Sequence, residues 1–335
     1  MGQRTIGSMT SSIRLHATLP RGVTLLERGW LSSNNVVLSD DEQCVLVDSG
    51  YVSHSVQTLA LVDAVTQGRP LDILINTHLH SDHCGGNALL QSTFPSLQTF
   101  IAPGESAFVS PWTPEKLSHQ ATGQRCERFT FTAVIYPGQT LTLGGREWLV
   151  MQAPGHDPHA IMLWCESQRI LISADALWEN GFGIVFPELV GISAFDEVEC
   201  TLNAIECLQP QWVLPGHGRA ISDVDAALRR ARSRLEQFRT RPAEHTHYAL
   251  KALLKFLLLD RRIMSWTETR DWVIRSELIG QALDRGCRQG YASIDPISAA
   301  TWQTNSPSEA WLATAVDQLK ASGALATDGE NLWDV

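Results

Sequence analysis

Four potential metal ligands fall within six residues of this chain, in Thr77-His78-Leu79-His80-Ser81-Asp82-His83, directly after the mostly apolar run Leu71 to Ile75. Exposed imidazoles contribute little to folding, so such a density needs a chemical cause. In a loop leaving a strand, His78 and His80 can point to one side while Asp82 and His83 turn to the other. One loop can then serve two neighbouring cations. Imidazole and carboxylate donors suit zinc, and also iron or manganese.

Three more polar residues stand where apolar runs end. His156 closes Ala153-Pro154-Gly155-His156, Asp175 follows Ile170 to Ser173, and His217 lies in Leu214-Pro215-Gly216-His217-Gly218. Loops at strand ends are where catalytic groups collect on a rigid scaffold. The adjoining Pro and Gly fix the turn and allow close approach of the backbone.

The pattern around these positions is mixed α/β. Val36 to Leu38 and Cys44 to Val47 flank the turn-like Ser39 to Glu42 and predict a hairpin; a helix is expected from about Ser55 to Gln67, stopped by Gly68. Gln139–Leu143, Glu147–Gln152, Ala160–Cys165 and Arg169–Ser173 read as strands, followed by a helix over Asp196–Leu208 and a strand at Trp212–Leu214. Two strand sets, each with helices, predict two sheets face to face with helices outside. From Ser222 the pattern turns helical: Asp223–Phe238, Glu244–Leu259, a short helix opened by the capping box Ser265-x-x-Glu268, and Ser308–Ala321. A hairpin about Asp328-Gly329 ends the chain. The division expected is a flexible segment 1–18, in which Met9 is an alternative start, a catalytic domain 19–221 and a smaller C-terminal domain 222–335.

Charge and cysteine usage narrow the function classes. The net charge of −10 disfavours a polyanionic partner, yet the sign is uneven: residues 1–218 hold 10 Lys/Arg against 21 Asp/Glu, and 219–335 hold 16 against 15. The seven cysteines form no C-x-x-C pair, so neither a thiolate zinc site nor a disulfide framework is signalled, and a reducing cytoplasm is expected. The first 18 residues carry no continuous apolar core for a signal peptide, and Leu250–Leu259 is interrupted by lysines and too short to span a bilayer. The partner expected is a small molecule, with no membrane; nucleic acid is disfavoured and a homodimer is left open.

The ordered set H-x-H-x-D-H at His78–His83, P-G-H at His156, an Asp after an apolar strand at Asp175 and P-G-H-G at His217 resembles the metallo-β-lactamase-fold hydrolases over about residues 20–220. The resemblance implies an αββα sandwich with the site at one edge of its sheets. It implies His78, His80 and His156 on a first metal, Asp82, His83 and His217 on a second, and Asp175 bridging both. Two divalent ions, zinc as first choice with iron or manganese as alternatives, would lower the pKa of a shared water so that hydroxide forms near neutral pH. Asp82 could orient that nucleophile or take its proton. The bridging Asp commonly follows Gly in this family, whereas here Ala174 precedes it. The acids Asp82 and Asp175, without a ligand cysteine, place the chain nearer the glyoxalase II-like hydrolases than the zinc β-lactamases. The C-terminal segment is similar to the winged-helix-like domain appended in the β-lactamase-like protein 2 group, where it borders the site or a dimer interface.

Other residues invite two readings each. Trp178, Phe182 and Phe186 lie on a Gly-interrupted loop and either line an apolar substrate pocket or pack beneath it. His159 is either a hydrogen-bond partner behind the ligands or ordinary loop packing. Trp112 reads as a loop anchor, Cys84 as a packed small hydrophobe and not a nucleophile, and Arg229, Arg230, Arg232, Arg234 and Arg239 as a solvated helix face. The leading function is hydrolysis of a small ester, thioester or lactone. The alternatives are a phosphodiesterase or ribonuclease with the same metals, a mononuclear iron enzyme resembling persulfide dioxygenases, and a winged-helix regulator.

Overall fold

The computed structural model describes residues 19–288, 302, 304 and 306–335, with backbone alone at 287–288. Residues 1–18, including Met9, and the side chain of Cys287 lie outside the described residues. A six-stranded sheet runs in sequence order through β1 (Val23–Leu26), β2 (Asn35–Ser39), β3 (Cys44–Val47), β4 (Ile73–Asn76), β5 (Gln98–Ile101) and β6 (Ala133–Val134). The first three strands are antiparallel, the predicted hairpin being β2–β3, and β3 to β6 are parallel. Parallel neighbours need crossovers. These carry α1 (Ser55–Thr66), then α2 (Ser81–Cys84) and α3 (Asn87–Thr93), then α4 (Ser106–Val109) and α5 (Ser118–Ala121). At the end of α1, Gln67 and Gly68 take left-handed backbone, so the stop expected at Gly68 begins one residue earlier.

The second sheet has the order β11-β10-β9-β8-β7, from β7 (Thr140–Leu143), β8 (Arg146–Gln152), β9 (Ile161–Cys165), β10 (Ile170–Ala174) and β11 (Trp212–Pro215). Only β10–β11 is parallel, bridged by α6 (Phe186–Leu189) and α7 (Phe195–Leu208). Side chains of period two build the layers. Val45, Val47, Ile73 and Ile75 meet Leu163, Ile170, Ile172 and Leu214 between the sheets. The intervening Leu46 and Leu74 face outward to Val62 of α1 and Leu90 of α3. On the far side Met162, Leu171 and Val213 pack on Val198 and Leu202 of α7. The result is the expected αββα sandwich.

The helix α8 (Val224–Thr240), capped by Asp223 accepting from the Ala226 N–H, shares that outer core through Ala227, Leu228, Ala231, Leu235 and Phe238. The change of pattern at Ser222 therefore marks the end of the two sandwich sheets and not the end of the sandwich core. Beyond it lie α9 (Pro242–Arg261), β12 (Ile263–Ser265), α10 (Trp266–Arg275), α11 (Glu277–Arg288), α12 (Pro307–Ala321), β13 (Leu325–Thr327) and β14 (Asn331–Asp334). The capping box at Ser265 and the hairpin β13–β14 are as expected; β12, which joins that hairpin antiparallel beside β14, and α11 are not foreseen from the pattern. Three residues are too few to show alternation.

This C-terminal layer has its own core, with Leu250, Leu254, Leu258, Leu312, Val316 and Leu332 at its centre. It is also fastened to the sandwich. The Val185 N–H donates to His245 Nε2 at 3.1 Å, Ser276 Oγ donates to the Ala121 carbonyl at 2.7 Å, and Arg125 pairs with Asp260 at 2.6 Å. Replacing Leu254, fully buried, with Ala is expected to cost about 2–5 kcal/mol in chemical denaturation. Burial pushes the pKa of His245 and of His247 down from 6.5 to about 4. The neutral rings therefore stabilise the fold fully above pH 6.5, and that stability is lost as pH falls toward 4. The midpoint of thermal unfolding should fall across that window, and fall less steeply in His245→Gln, whose amide oxygen can still accept from Val185.

Candidate metal centre

The loop after β4 is held from below by a buried carboxylate. Asp48, just past β3, accepts from the Thr77 N–H at 2.9 Å and from Thr77 Oγ1 at 2.8 Å, and its Oδ2 lies 2.8 Å from His83 Nδ1. The chain then makes the single turn α2, which carries Asp82 and His83. His156 follows β8, Asp175 follows β10 and His217 follows β11, so four strand ends meet at one edge of the sandwich.

Seven residues converge there. His78 Nε2 lies 3.1 Å from His80 Nδ1, which lies 2.8 Å from His156 Nε2. Asp82 Oδ2 lies 3.1 Å from His217 Nε2 and 3.9 Å from His83 Nε2. Asp175 stands between the groups, Oδ2 at 3.3 Å from His156 Nε2 and 3.5 Å from His83 Nε2, and Oδ1 at 3.9 Å from His217 Nε2. The sets His78/His80/His156, His78/His83/Asp175 and Asp82/His83/His217 each bring their donor atoms within 4.8 Å of one another.

These groups fit cations better than they fit each other. Nitrogens bound tetrahedrally at zinc distances lie about 3.3 Å apart, close to the spacing of the first set. His83 Nε2 is buried without a hydrogen-bond partner, the arrangement of an atom aimed at something else. Burial first, and the neighbouring imidazoles, push His78 well below its ordinary pKa, and burial takes His80 and His156 to about 4. Asp175 is held well below the usual carboxylate range by His83, His217 and His156, against the burial that opposes ionisation. Neutral imidazoles beside an ionised carboxylate are the forms that bind metal. His83 goes the other way: despite its burial, Asp48, Asp175 and Asp82 raise its pKa well above normal. A site that draws a proton onto its central imidazole is short of positive charge.

Small residues permit this density. A Cβ on Gly216 would overlap Asp175 Oδ1, and one on Gly183 would overlap His156 Nδ1. His156 Nδ1 lies 2.6 Å from the Ile184 carbonyl, which orients the ring. Ala174 has φ +46°, so the residue before Asp175 occupies left-handed backbone that suits Gly; Ala there costs roughly 1 kcal/mol.

The cleft in front of the cluster is bordered by Trp178 and Phe186, as one reading of the loop expects, with Trp30, Tyr248, Leu253 and Phe256. Phe182 does not line it. That ring is buried in the core behind β10, edge-on to Phe238 at 6.2 Å, because the chain turns between Trp178 and Gly181 and sends it inward. His159 is exposed, its ring packed over Gly104, and it contacts no ligand. The neighbour that approaches the cluster is Asp157, whose Oδ2 lies 3.9 Å from His80 Nε2. Trp112 anchors its loop against Phe129. In the arginine run, Arg232 pairs with Glu206, Arg239 with Asp196 and Glu199, and Arg234 stands over the Tyr248 ring.

Three contributors escape sequence reasoning. Asp48 carries the signature that marks Asp175, an acid ending an apolar strand, and could have been found by it. Trp30, 54% exposed, stacks on His217 with centroids 5.6 Å apart, and α9 supplies the far wall of the cleft. Nothing local to either stretch announces those contacts. Asp48→Asn should weaken metal affinity about 10–100-fold, the usual loss when the partner behind a ligating histidine is altered, measured by competition with a chromophoric chelator.

The sequence profile of the metallo-beta-lactamase superfamily matches residues 28–236. The hydroxyacylglutathione hydrolase of Yersinia enterocolitica serotype O:8 / biotype 1B is 28% identical over 156 residues, 46% of this chain and 51% of its own. That of Yersinia pestis (strain Pestoides F) is 24% identical over 217 residues, 63% of this chain and 73% of its own. The chain thus spans about half the length of the first relative. A metallo-beta-lactamase family protein from Thermus thermophilus, TTHA1429, superposes with a TM-score of 0.51 at 18% identity, over 94% of this chain and 99% of its own. TTHA1623, crystallised in a di-iron-bound form, gives 0.51 at 23% identity over 62% and 98%. At these identities the two structures bear on the fold alone. The chain belongs to the metallo-beta-lactamase superfamily.

Proposed function

We propose that this protein hydrolyses a small, largely apolar thioester or related acyl ester at a two-metal centre. His78, His80 and His156 would hold one cation and Asp82, His83 and His217 the other, with Asp175 standing between the two sets as a further carboxylate donor. The donors are nitrogen and oxygen only, which suits zinc first, with iron the alternative given the di-iron TTHA1623. Two such cations, when bound, polarise an acyl carbonyl and supply a water of lowered pKa. The chain's own residues do the rest. Asp175 and Asp82 neutralise charge, Asp48 fixes the His83 tautomer, and Asp82 Oδ2, at the mouth of the cluster, is placed to orient the water and take its proton.

The observation that carries the substrate class is the cleft wall. Trp178, Ile184, Phe186, Leu253 and Phe256 are apolar, and no Lys or Arg lies among the described residues that border it. A phosphodiester or RNA strand brings anionic charge that no Lys or Arg on this wall would balance, whereas an acyl chain has a surface to bury. The relatives named hydroxyacylglutathione hydrolase point to the same bond type. The tripeptide conjugate itself is a poorer fit, since its carboxylates would face Trp and Phe.

The C-terminal layer enters this reading as a wall of the substrate cleft. Among the described residues its order, helix, strand, three helices and two strands with β14 central, supports a winged-helix-like reading, and we place the division from the catalytic domain at Arg241, between α8 and α9. The six described cysteines are free, which fits a reducing compartment. No helix among the described residues is long and apolar enough to cross a membrane. Metal-loaded protein should cleave acyl thioesters or esters from a graded panel, with chelator abolishing turnover and zinc restoring it. Asp175→Asn should lower kcat/KM by more than about a hundredfold. Chelator-sensitive cleavage of labelled RNA, with every acyl substrate untouched, would overturn the proposal.

A further inference from the structure

A second group of metal-ligand side chains lies behind the first and is used by no step above. Cys84 follows His83 at the end of α2, His119 lies on α5, and Cys126 follows five residues after that helix. One ligand atom from each lies within 4.8 Å of the others. The two sulfurs are 3.8 Å apart. That is too long for a disulfide, and it matches the edge, about 3.8 Å, of a tetrahedron with zinc–sulfur bonds of about 2.3 Å.

The imidazole is the second observation. His119 is 4% exposed, and neither ring nitrogen has a hydrogen-bond partner. A buried histidine with both nitrogens idle gives up hydrogen bonds that water would supply. Its ring is tilted against Trp112 at 6.4 Å, which holds it facing the thiols. Glu105 stands near enough to feel the charge of His119: its Oε2 is buried without a partner, its Oε1 accepts from the Ser118 N–H at 2.9 Å, and burial raises its pKa to about 7. Contact with the Cys84 thiol, and the nearby His119, bring the Cys126 thiol down to about 6 although burial opposes this, while burial and Cys126 push the Cys84 thiol well above its ordinary range. Cys126 is half-buried and gives the group an opening to solvent.

We propose that Cys84, His119 and Cys126 bind a third cation, a thiophilic d10 ion such as zinc, distinct from the two-metal centre. Binding releases two thiol protons to solvent, and two thiolates with a neutral imidazole cancel the charge of a divalent ion. The sequence shows no such site because its donors stand 35 and seven residues apart, outside any zinc-finger spacing. Its role is a clamp. It ties α2, which carries Asp82 and His83, to the Ser118–Cys126 segment, whose Ser118, Thr122 and Gln124 border the cleft. The described protein joins these two elements there through the bond from Ser81 Oγ to Gln124 Oε1 at 2.6 Å.

Cobalt(II) substitution under reducing conditions separates the two centres, because only thiolate ligands give a sulfur-to-cobalt charge-transfer band in the near ultraviolet. Full-length protein should bind three cobalt ions per chain and show that band. Cys126→Ser should lose the band and one ion while keeping two. His119→Gln should keep the fold and weaken binding of the third ion at least tenfold. In His80→Ala, the two-metal centre loses cobalt but the band should persist, so failure of one centre is read apart from the other. Absence of the band in the wild-type protein, its survival in Cys126→Ser, or an intact mass showing a Cys84–Cys126 disulfide in freshly isolated protein would overturn the proposal.

Discussion

A single buried carboxylate organises the metal loop. Asp48 accepts from both the amide and the hydroxyl of Thr77 and faces His83 Nδ1, so it fixes where the loop leaves β4 and which nitrogen of His83 points outward. The carboxylate is 3% exposed, and an ionised group so placed is costly unless its hydrogen bonds are complete. Asp48 meets that condition by gripping the one segment whose geometry the chemistry needs. The parallel strands β3 and β4 set the arrangement, since they end side by side and bring Asp48 beneath Thr77. The left-handed backbone of Asp48, φ +59°, is one that Asp tolerates better than most residues.

Charge then dictates what the cluster accepts. Asp48, Asp82 and Asp175 surround His83, and His78, His80 and His156 are driven neutral by burial. Such a concentration of acid and lone pairs is stable only with positive charge at its centre. Divalent ions would supply that charge, matching the states already imposed on His78, His80, His156 and Asp175 and displacing the proton that His83 draws. Ala174 shows the same pressure in the backbone: the turn into Asp175 requires a left-handed residue, and the chain holds one there with a Cβ attached.

The C-terminal layer supplies one wall of the cleft. By placing Tyr248, Leu253 and Phe256 opposite the metal ligands, α9 turns an open sheet edge into a cleft with an apolar wall. The same helix holds the Val185 amide through His245, one residue from the Ile184 carbonyl that orients His156. Wall and ligand geometry are thus coupled through one short segment. On the other flank, the Cys84–His119–Cys126 group occupies the corresponding position between α2 and the segment that carries Ser118 and Gln124.

Legible in the residues alone were the loop His78–His83, the strand-end positions of His156, Asp175 and His217, and the two-sheet layering. Each is written in short-range pattern: period-two apolar runs such as Val45–Val47 and Ile73–Ile75, and turn residues that put His156, Asp175 and His217 at strand ends. The sequence left Trp178, Phe182 and Phe186 open between lining a pocket and packing beneath it. What it could not decide were contacts between segments that share no local signal. Phe182 sits in the same loop as Phe186 yet points into the core, because a tight turn reverses the chain just before it. The helix α8 reads as part of a helical tail but covers the second sheet, since an amphipathic helix does not state which apolar surface it will meet. Trp30 on His217, α9 across the cleft and His119 between two thiols depend likewise on the docking of whole layers, and only the tertiary structure fixes that.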